Sequence, residues 1–147
     1  MTQDRTMTIQ RLIRAAPEQV WQAWTDPKIL PQWFGPAGYS CRTRTIDLRS
    51  GGQWLFDMIG PDGTIWPNRH HALAYHAHHK ITFLMDDGTD DGAPMNVTVT
   101  LTPEQGGTRL IQSVTCPSVE AYQGAIAFGA VELGHTTLAK LAALVES

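Results

Sequence analysis

The sequence has little of several features that define large functional classes. Only two of its 147 residues are cysteines, Cys41 and Cys116, which excludes a disulfide scaffold and a cysteine-rich zinc module. No apolar run approaches the roughly 18 residues that a membrane span needs. The polar first fourteen residues also lack the apolar core of a secretory signal. We therefore expect a cytoplasmic protein with reduced thiols and no membrane partner.

Positive charge is also scarce. Lysine and arginine number 11 against 14 aspartates and glutamates, so the net charge is −3. Nucleic acids and anionic surfaces attract proteins with a basic face, so we expect no nucleic-acid partner. The length favours one domain over residues 1–147, large enough to bury a hydrophobic core.

The apolar pattern of the first two thirds predicts one strand, two short helices and a run of strands. Residues 6–15 alternate, with Met7, Ile9 and Ile13 on one face. Pro17 is typical of a first helix, and Asp26-Pro27 predicts a second helix that Pro31 keeps to a turn or two. Further strands are predicted at 40–48, 53–59, 65–75, 80–86, 95–102 and 108–115. Because no helix separates them, the sheet should be antiparallel.

The last thirty residues differ in character, since they lack proline beyond Ser118 and are largely apolar. We predict a single helix of about 28 residues from the Ser118 cap to Val145. Its first half is crowded with small residues: Gly124, Ala125, Ala127, Gly129, Ala130 and Gly134. Glycine costs a helix about 1 kcal/mol relative to alanine. Two explanations stay open, namely a cavity beside the helix or close packing, including packing across a dimer.

The order of elements resembles the helix-grip fold of the START and birch-pollen-allergen superfamily, which includes polyketide cyclases. It is most similar to bacterial proteins that resemble the C-terminal domain of the activator of the heat-shock protein 90 ATPase. The segments that carry the resemblance are 17–27 (PEQVWQAWTDP), 32–36 (QWFGP), 48–54 (LRSGGQW), 58–63 (MIGPDG) and 106–110 (GGTRL). The resemblance implies an α+β fold in which a curved antiparallel sheet wraps around a long C-terminal helix, with two short helices after the first strand.

Motifs for catalysis and cofactors are few. Phosphate-loop, dinucleotide and nucleophile-elbow patterns are absent, so no cofactor is expected. Five of the six histidines fall between His70 and His79, and Glu132 and His135 share a helix face, but neither group has the partners of a metal site. We expect no metal. The acidic segment from Asp86 to Gly92 lacks the oxygen pattern of a calcium loop and indicates a charged hairpin.

An apolar cavity between the sheet and the first half of the long helix is the remaining candidate site. We predict that it binds a small hydrophobic or aromatic molecule. The candidate lining residues are Trp33, Phe34, Trp54, Phe56, Met58, Trp66, Arg69, His70, Phe83, Met85, Phe128, Glu132 and His135. Two alternatives stay open: a cyclase or hydrolase with His135, Glu132 or His70 as general base, and a co-chaperone-like or stress-response interaction protein. The sequence also leaves a homodimer open.

Overall fold

The structure, a computed structural model, describes residues 5–89 and 93–146. Within these ranges the chain forms a sheet of seven antiparallel strands in the order β1-β7-β6-β5-β4-β3-β2. The strands are β1 (Thr6–Ile13), β2 (Ser40–Asp47), β3 (Gln53–Ile59), β4 (Ile65–His76), β5 (Lys80–Asp86), β6 (Met95–Glu104) and β7 (Gly107–Thr115). The predicted α+β helix-grip fold is confirmed. The first strand, β1, lies at one edge of the sheet, where it pairs with the last strand, β7.

The helices are α1 (Pro17–Thr25), α2 (Leu30–Trp33), α3 (Val119–Phe128) and α4 (Ala130–Val145). Pro17 begins α1, and the Gln19 side chain accepts a hydrogen bond from the Ala16 backbone N–H at 3.1 Å. The Ser118 hydroxyl caps α3 by accepting from the Ala121 N–H at 3.1 Å. None of the helices in the described ranges is long and apolar enough to cross a membrane.

The prediction of one continuous C-terminal helix is wrong. Gly129 adopts a left-handed conformation (φ +88°) and separates α3 from α4. This conformation is easily adopted only by glycine, and it lets the N–H of Gly129 close the last turn of α3 on Ala125 and Ile126. Gly129 is therefore a helix end, and the long rod is two helices of 10 and 16 residues.

Two smaller predictions also need correction. The second short helix begins at Leu30 and not at Asp26-Pro27, so Pro31 lies in its first turn instead of ending it. Asp26 forms a turn, in which its carboxylate accepts from the Lys28 N–H at 2.8 Å. Strand alternation also predicts that His76 and His78 point the same way, but β4 ends at His76 and His78 lies in the following turn (φ +64°).

The core lies between the inner face of the sheet and helices α1, α2 and α4. Helix α4 packs on β1, α1 and α2, and its buried residues are Leu138, Leu141 and Ala142. Helix α3 has no buried residue. The C-terminal segment is thus anchored at its end, while α3 rests over the sheet with space beneath it.

Candidate functional site

A cavity of about 440 Å³ separates the inner face of the sheet from α3 and the first turns of α4. Its lining comes from six strands (β1 and β3 to β7), the loop after α2 and both C-terminal helices. Its volume falls within the range of about 300–1,000 Å³ that is typical of small-molecule sites. The cavity lies where the small residues of the C-terminal segment had predicted one.

The three glycines of this segment have three different surroundings. A Cβ at Gly124 would meet no atom within 4 Å, so this residue faces open space. A Cβ at Gly134 would lie 2.8 Å from Cδ1 of Ile9, which means that α4 approaches β1 closely there. Gly129 serves the helix break. The cavity itself owes its room to Ala121, Ala125 and Ala130, which line it directly. Of the two explanations that the sequence leaves open, a cavity accounts for the small residues Ala121, Ala125 and Ala130, and close packing accounts for Gly134.

Methionine and phenylalanine together supply a third of the lining residues. The four methionines in the described ranges, Met7, Met58, Met85 and Met95, all face the cavity. Methionine side chains are flexible and polarisable, so they adapt to ligands of different shape. The aromatic lining residues are Phe34, Phe83 and Phe128.

Aromatic rings form a rigid wall behind Phe34. Its ring makes edge-to-face contacts with Trp54 at 5.5 Å, Phe56 at 6.0 Å and Trp33 at 5.7 Å between centroids. Those three residues are at most 2% exposed. They therefore support the cavity from the core and do not line it.

The loop that follows α2 is fixed to α4 at the edge of the cavity. The ammonium of Lys140 donates to the carbonyl oxygens of Gly35, Pro36 and Tyr39 at 3.0, 3.4 and 3.5 Å. Desolvation lowers the pKa of Lys140. Because Gly35 and Pro36 line the cavity, Lys140 holds part of its rim in place.

His70 lies deep in the sheet and next to the cavity wall. It is 2% exposed and stacks on Phe83 with 4.3 Å between ring centroids. Its Nε2 has no hydrogen-bond partner in the part of the chain that the structure describes. Burial, aided by the nearby His71, lowers the pKa of His70 to about 3. His70 is therefore a neutral imidazole at ordinary pH.

Arg69 faces away from the cavity and holds the start of the acidic hairpin. Its guanidinium makes two hydrogen bonds of 2.8 Å to the Asp86 carboxylate, which also contacts Nε2 of His71 at 2.9 Å. The hydrogen bonds from Arg69 are the main cause that lowers the pKa of Asp86 to about 2. The rest of the predicted hairpin includes residues 90–92, which lie outside the described residues.

Three further predicted residues lie away from the main cavity. Glu132 and His135 are on the exposed face of α4 and do not line it. Trp66 is 48% exposed and borders an adjoining pocket of about 410 Å³ together with Phe128. Of the thirteen predicted lining residues, five line the main cavity: Phe34, Met58, Phe83, Met85 and Phe128. The ligand-binding role of all thirteen stays a prediction.

Metal ligation and thiol chemistry find no support in this arrangement. No group of three or more His, Cys, Asp or Glu side chains converges as a metal site among residues 5–89 and 93–146. Burial raises the pKa of the Cys41 thiol to about 11, and its Sγ donates to the Phe34 carbonyl at 3.3 Å. A protonated, hydrogen-bonded thiol is a poor nucleophile.

The comparisons with known proteins agree with this architecture. The family model for Activator of Hsp90 ATPase homolog 1-like protein matches residues 14–146. The chain belongs to this family. Members have the helix-grip fold, which generally binds hydrophobic ligands. No curated protein matches the chain.

Solved structures of bacterial proteins resemble the chain over most of its length. Protein Ms6760 from Mycobacterium smegmatis is 28% identical, with a TM-score of 0.83 over 96% of this chain and 90% of that one. Protein CV1439 from Chromobacterium violaceum is 28% identical, with a TM-score of 0.79 over 97% and 98%. A protein from Arthrobacter aurescens is 26% identical, with a TM-score of 0.86 over 97% and 86%.

Sequence reasoning missed several residues of this family member's cavity. Met7 lies on the face that strand alternation predicts for the first strand, and Met95 shares a face of β6 with the buried Val97 and Val99, but neither was predicted as a lining residue. The neutral residues Asn68 and Gln112 also line the cavity, whereas the polar side chains predicted there were those of Arg, His and Glu. Strand parity could have found Gln112, since it shares a face with the buried Leu110.

Proposed function

We propose that this protein binds a small hydrophobic or aromatic molecule in the cavity between its sheet and helices α3 and α4. The observation that carries the proposal is the cavity itself, about 440 Å³ with a mainly apolar lining. Removal of apolar ligand surface from water, worth about 25 cal/mol per Å² before the costs of association, supplies the affinity.

The positions of the candidate bases favour binding over catalysis. Glu132 and His135 are exposed on α4, outside the cavity lining. His70 is buried behind Phe83, with a pKa of about 3 that makes it a weak base. The enzyme alternative, the chaperone-type interaction and the homodimer stay predictions, since no contact described above favours any of them over ligand binding.

The test uses N-phenyl-1-naphthylamine, a neutral dye whose fluorescence rises when it leaves water. We expect saturable binding and a rise in melting temperature, because a ligand that binds only the folded state stabilises it. Ala125→Phe puts an aromatic ring into the cavity and should weaken binding at least about tenfold.

Ala127→Phe is the matched control. Ala127 lies on the same helix but is exposed and does not line the cavity, so this variant should bind the dye as the wild type does. Equal loss of affinity in both variants, or no binding by the wild type, would contradict the proposal.

A further inference from the structure

The cavity lining is uncharged. No Asp, Glu, Lys, Arg or His side chain lines it among the residues that the structure describes. Its polar side chains are neutral and number three: Asn68, Gln112 and Thr137. A charged ligand group would exchange its hydration for apolar carbon and sulfur without a counterion, which is strongly unfavourable.

Three cations, Lys140, Arg69 and Arg42, are already engaged by other groups of the protein. The Lys140 ammonium is shared among three carbonyl oxygens of the loop at residues 35–39. Arg69 makes two hydrogen bonds of 2.8 Å to Asp86, and Arg42 donates to Asp57 at 2.9 Å. Recruiting any of these three cations to a ligand carboxylate would require its present contact to break, so they offer an anion no free counterion.

Gln112 is a polar residue in an apolar position. It lies on β7 at the same parity as Thr108 and Leu110, both 0% exposed. Its cross-strand partners are Ile9 on β1 and Val99 on β6. Within the described ranges its side-chain amide makes no hydrogen bond, although it offers two donor hydrogens and an acceptor oxygen. Gln112 is half-buried, and its amide is not one of the buried polar atoms that lack a partner in the described residues, so solvent reaches it in the free protein. A ligand that fills the cavity displaces this solvent and must replace its hydrogen bonds, or the amide is left unsatisfied at a cost.

The other two neutral polar groups already use a donor within the protein. The Asn68 amide donates to the Trp66 carbonyl at 2.9 Å, and the Thr137 hydroxyl donates to the Leu133 carbonyl at 3.3 Å. Gln112 is therefore the lining residue whose donors and acceptor are all available.

Resting on the proposed function, we infer that the cavity selects uncharged ligands that carry a hydrogen-bonding group, and that Gln112 recognises this group. The ligand class is a neutral, largely aromatic or aliphatic molecule with an N–H, O–H or carbonyl. Fatty acids, aromatic carboxylates and sulfonates are excluded by their charge.

The first arm of the test compares two dyes that share an arylaminonaphthalene core. N-phenyl-1-naphthylamine is neutral, whereas 8-anilinonaphthalene-1-sulfonate adds a permanent negative charge. Fluorescence titration of the wild type should give at least about tenfold tighter binding for the neutral dye. The inference is overturned if the sulfonate binds the wild type as tightly as the neutral dye, or more tightly, and Ala125→Phe abolishes that binding. The proposed function would then remain intact. If neither dye binds, the proposed function fails, and the inference fails with it.

The second arm compares diphenylamine with diphenylmethane as competitors of the neutral dye. They differ by one N–H in place of a CH₂ group. The wild type should prefer diphenylamine by about three- to tenfold, the value of one net hydrogen bond. In Gln112→Leu, which keeps a similar volume without the amide, this preference should vanish or reverse.

Equal competition by the two molecules in the wild type would overturn the assigned role of Gln112, and this measurement does not depend on any variant folding. A preference for diphenylamine that persists in Gln112→Leu would overturn it as well. Circular dichroism of the variant confirms that both competitors meet a folded protein.

Discussion

The buried imidazole of His70 makes the stability of this protein sensitive to mild acid. His70 is enclosed by the rings of Phe34, Trp54, Phe56 and Phe83 at centroid distances of 4.3–5.2 Å. These surroundings cannot solvate a cation, so burial holds the pKa of His70 at about 3 in the folded state. An unburied histidine has a pKa of about 6.5, and this is the value expected for His70 in the unfolded chain.

The sign and size of the effect follow from these two pKa values. Because the folded-state pKa is the lower one, the unfolded state binds the proton first as the pH falls. The stability is thus complete above pH 6.5 and is lost progressively between pH 6.5 and pH 3. Between pH 7 and pH 5 the loss from this one group is about 2 kcal/mol.

His70→Leu removes the titrating group and nearly keeps the volume. Urea unfolding of the wild type and of this variant at pH 7 and pH 5 gives the free energy of unfolding of each. We expect the wild type to lose about 2 kcal/mol more than the variant over this range, because all other titrations are common to both. Equal losses in the two proteins would refute the buried, neutral state of His70.

Two further predictions concern the helices over the cavity and the loop at its rim. Gly129→Ala should lower the free energy of unfolding by about 1–2 kcal/mol because it forces alanine into the left-handed region. Gly124→Ala should raise the free energy of unfolding by about 1 kcal/mol because nothing lies within 4 Å of the new Cβ. If urea unfolding gives both changes the same sign, the two glycines do not have the different surroundings described. Lys140→Met should destabilise the protein by about 1–3 kcal/mol because it loses the charge-assisted hydrogen bonds to the loop. Lys28 is exposed, so the control variant Lys28→Met should change the stability little. Equal melting temperatures for the two variants would contradict the role of Lys140 in holding the loop.

Strand alternation in the sequence was enough to predict most of the sheet and its inward aromatic residues. Trp54 and Phe56 face the core because they share a parity on β3, and the sequence displays this directly. The break at Gly129 could not be read in the same way. A glycine with a left-handed conformation and one inside a helix look alike in sequence, and no proline marks the boundary.

The composition of the cavity depends on contacts between distant strands. Whether an inward residue lines the cavity or fills the core is decided by what lies opposite it. Phe56 faces the aromatic cluster, while Met58, two residues further on the same face, meets the space beneath α3. The lack of a partner for Gln112 likewise follows from its cross-strand neighbours, Ile9 and Val99, which alternation within β7 does not specify.

The four cavity methionines offer the most direct test of ligand binding at this site. Their labelled ε-methyl groups report on the cavity from four strands, β1, β3, β5 and β6. When N-phenyl-1-naphthylamine saturates the protein, the methyl resonances of Met7, Met58, Met85 and Met95 should shift and show nuclear Overhauser contacts to the dye. Saturation of the protein with all four resonances unmoved would place the dye elsewhere and contradict the cavity as the binding site.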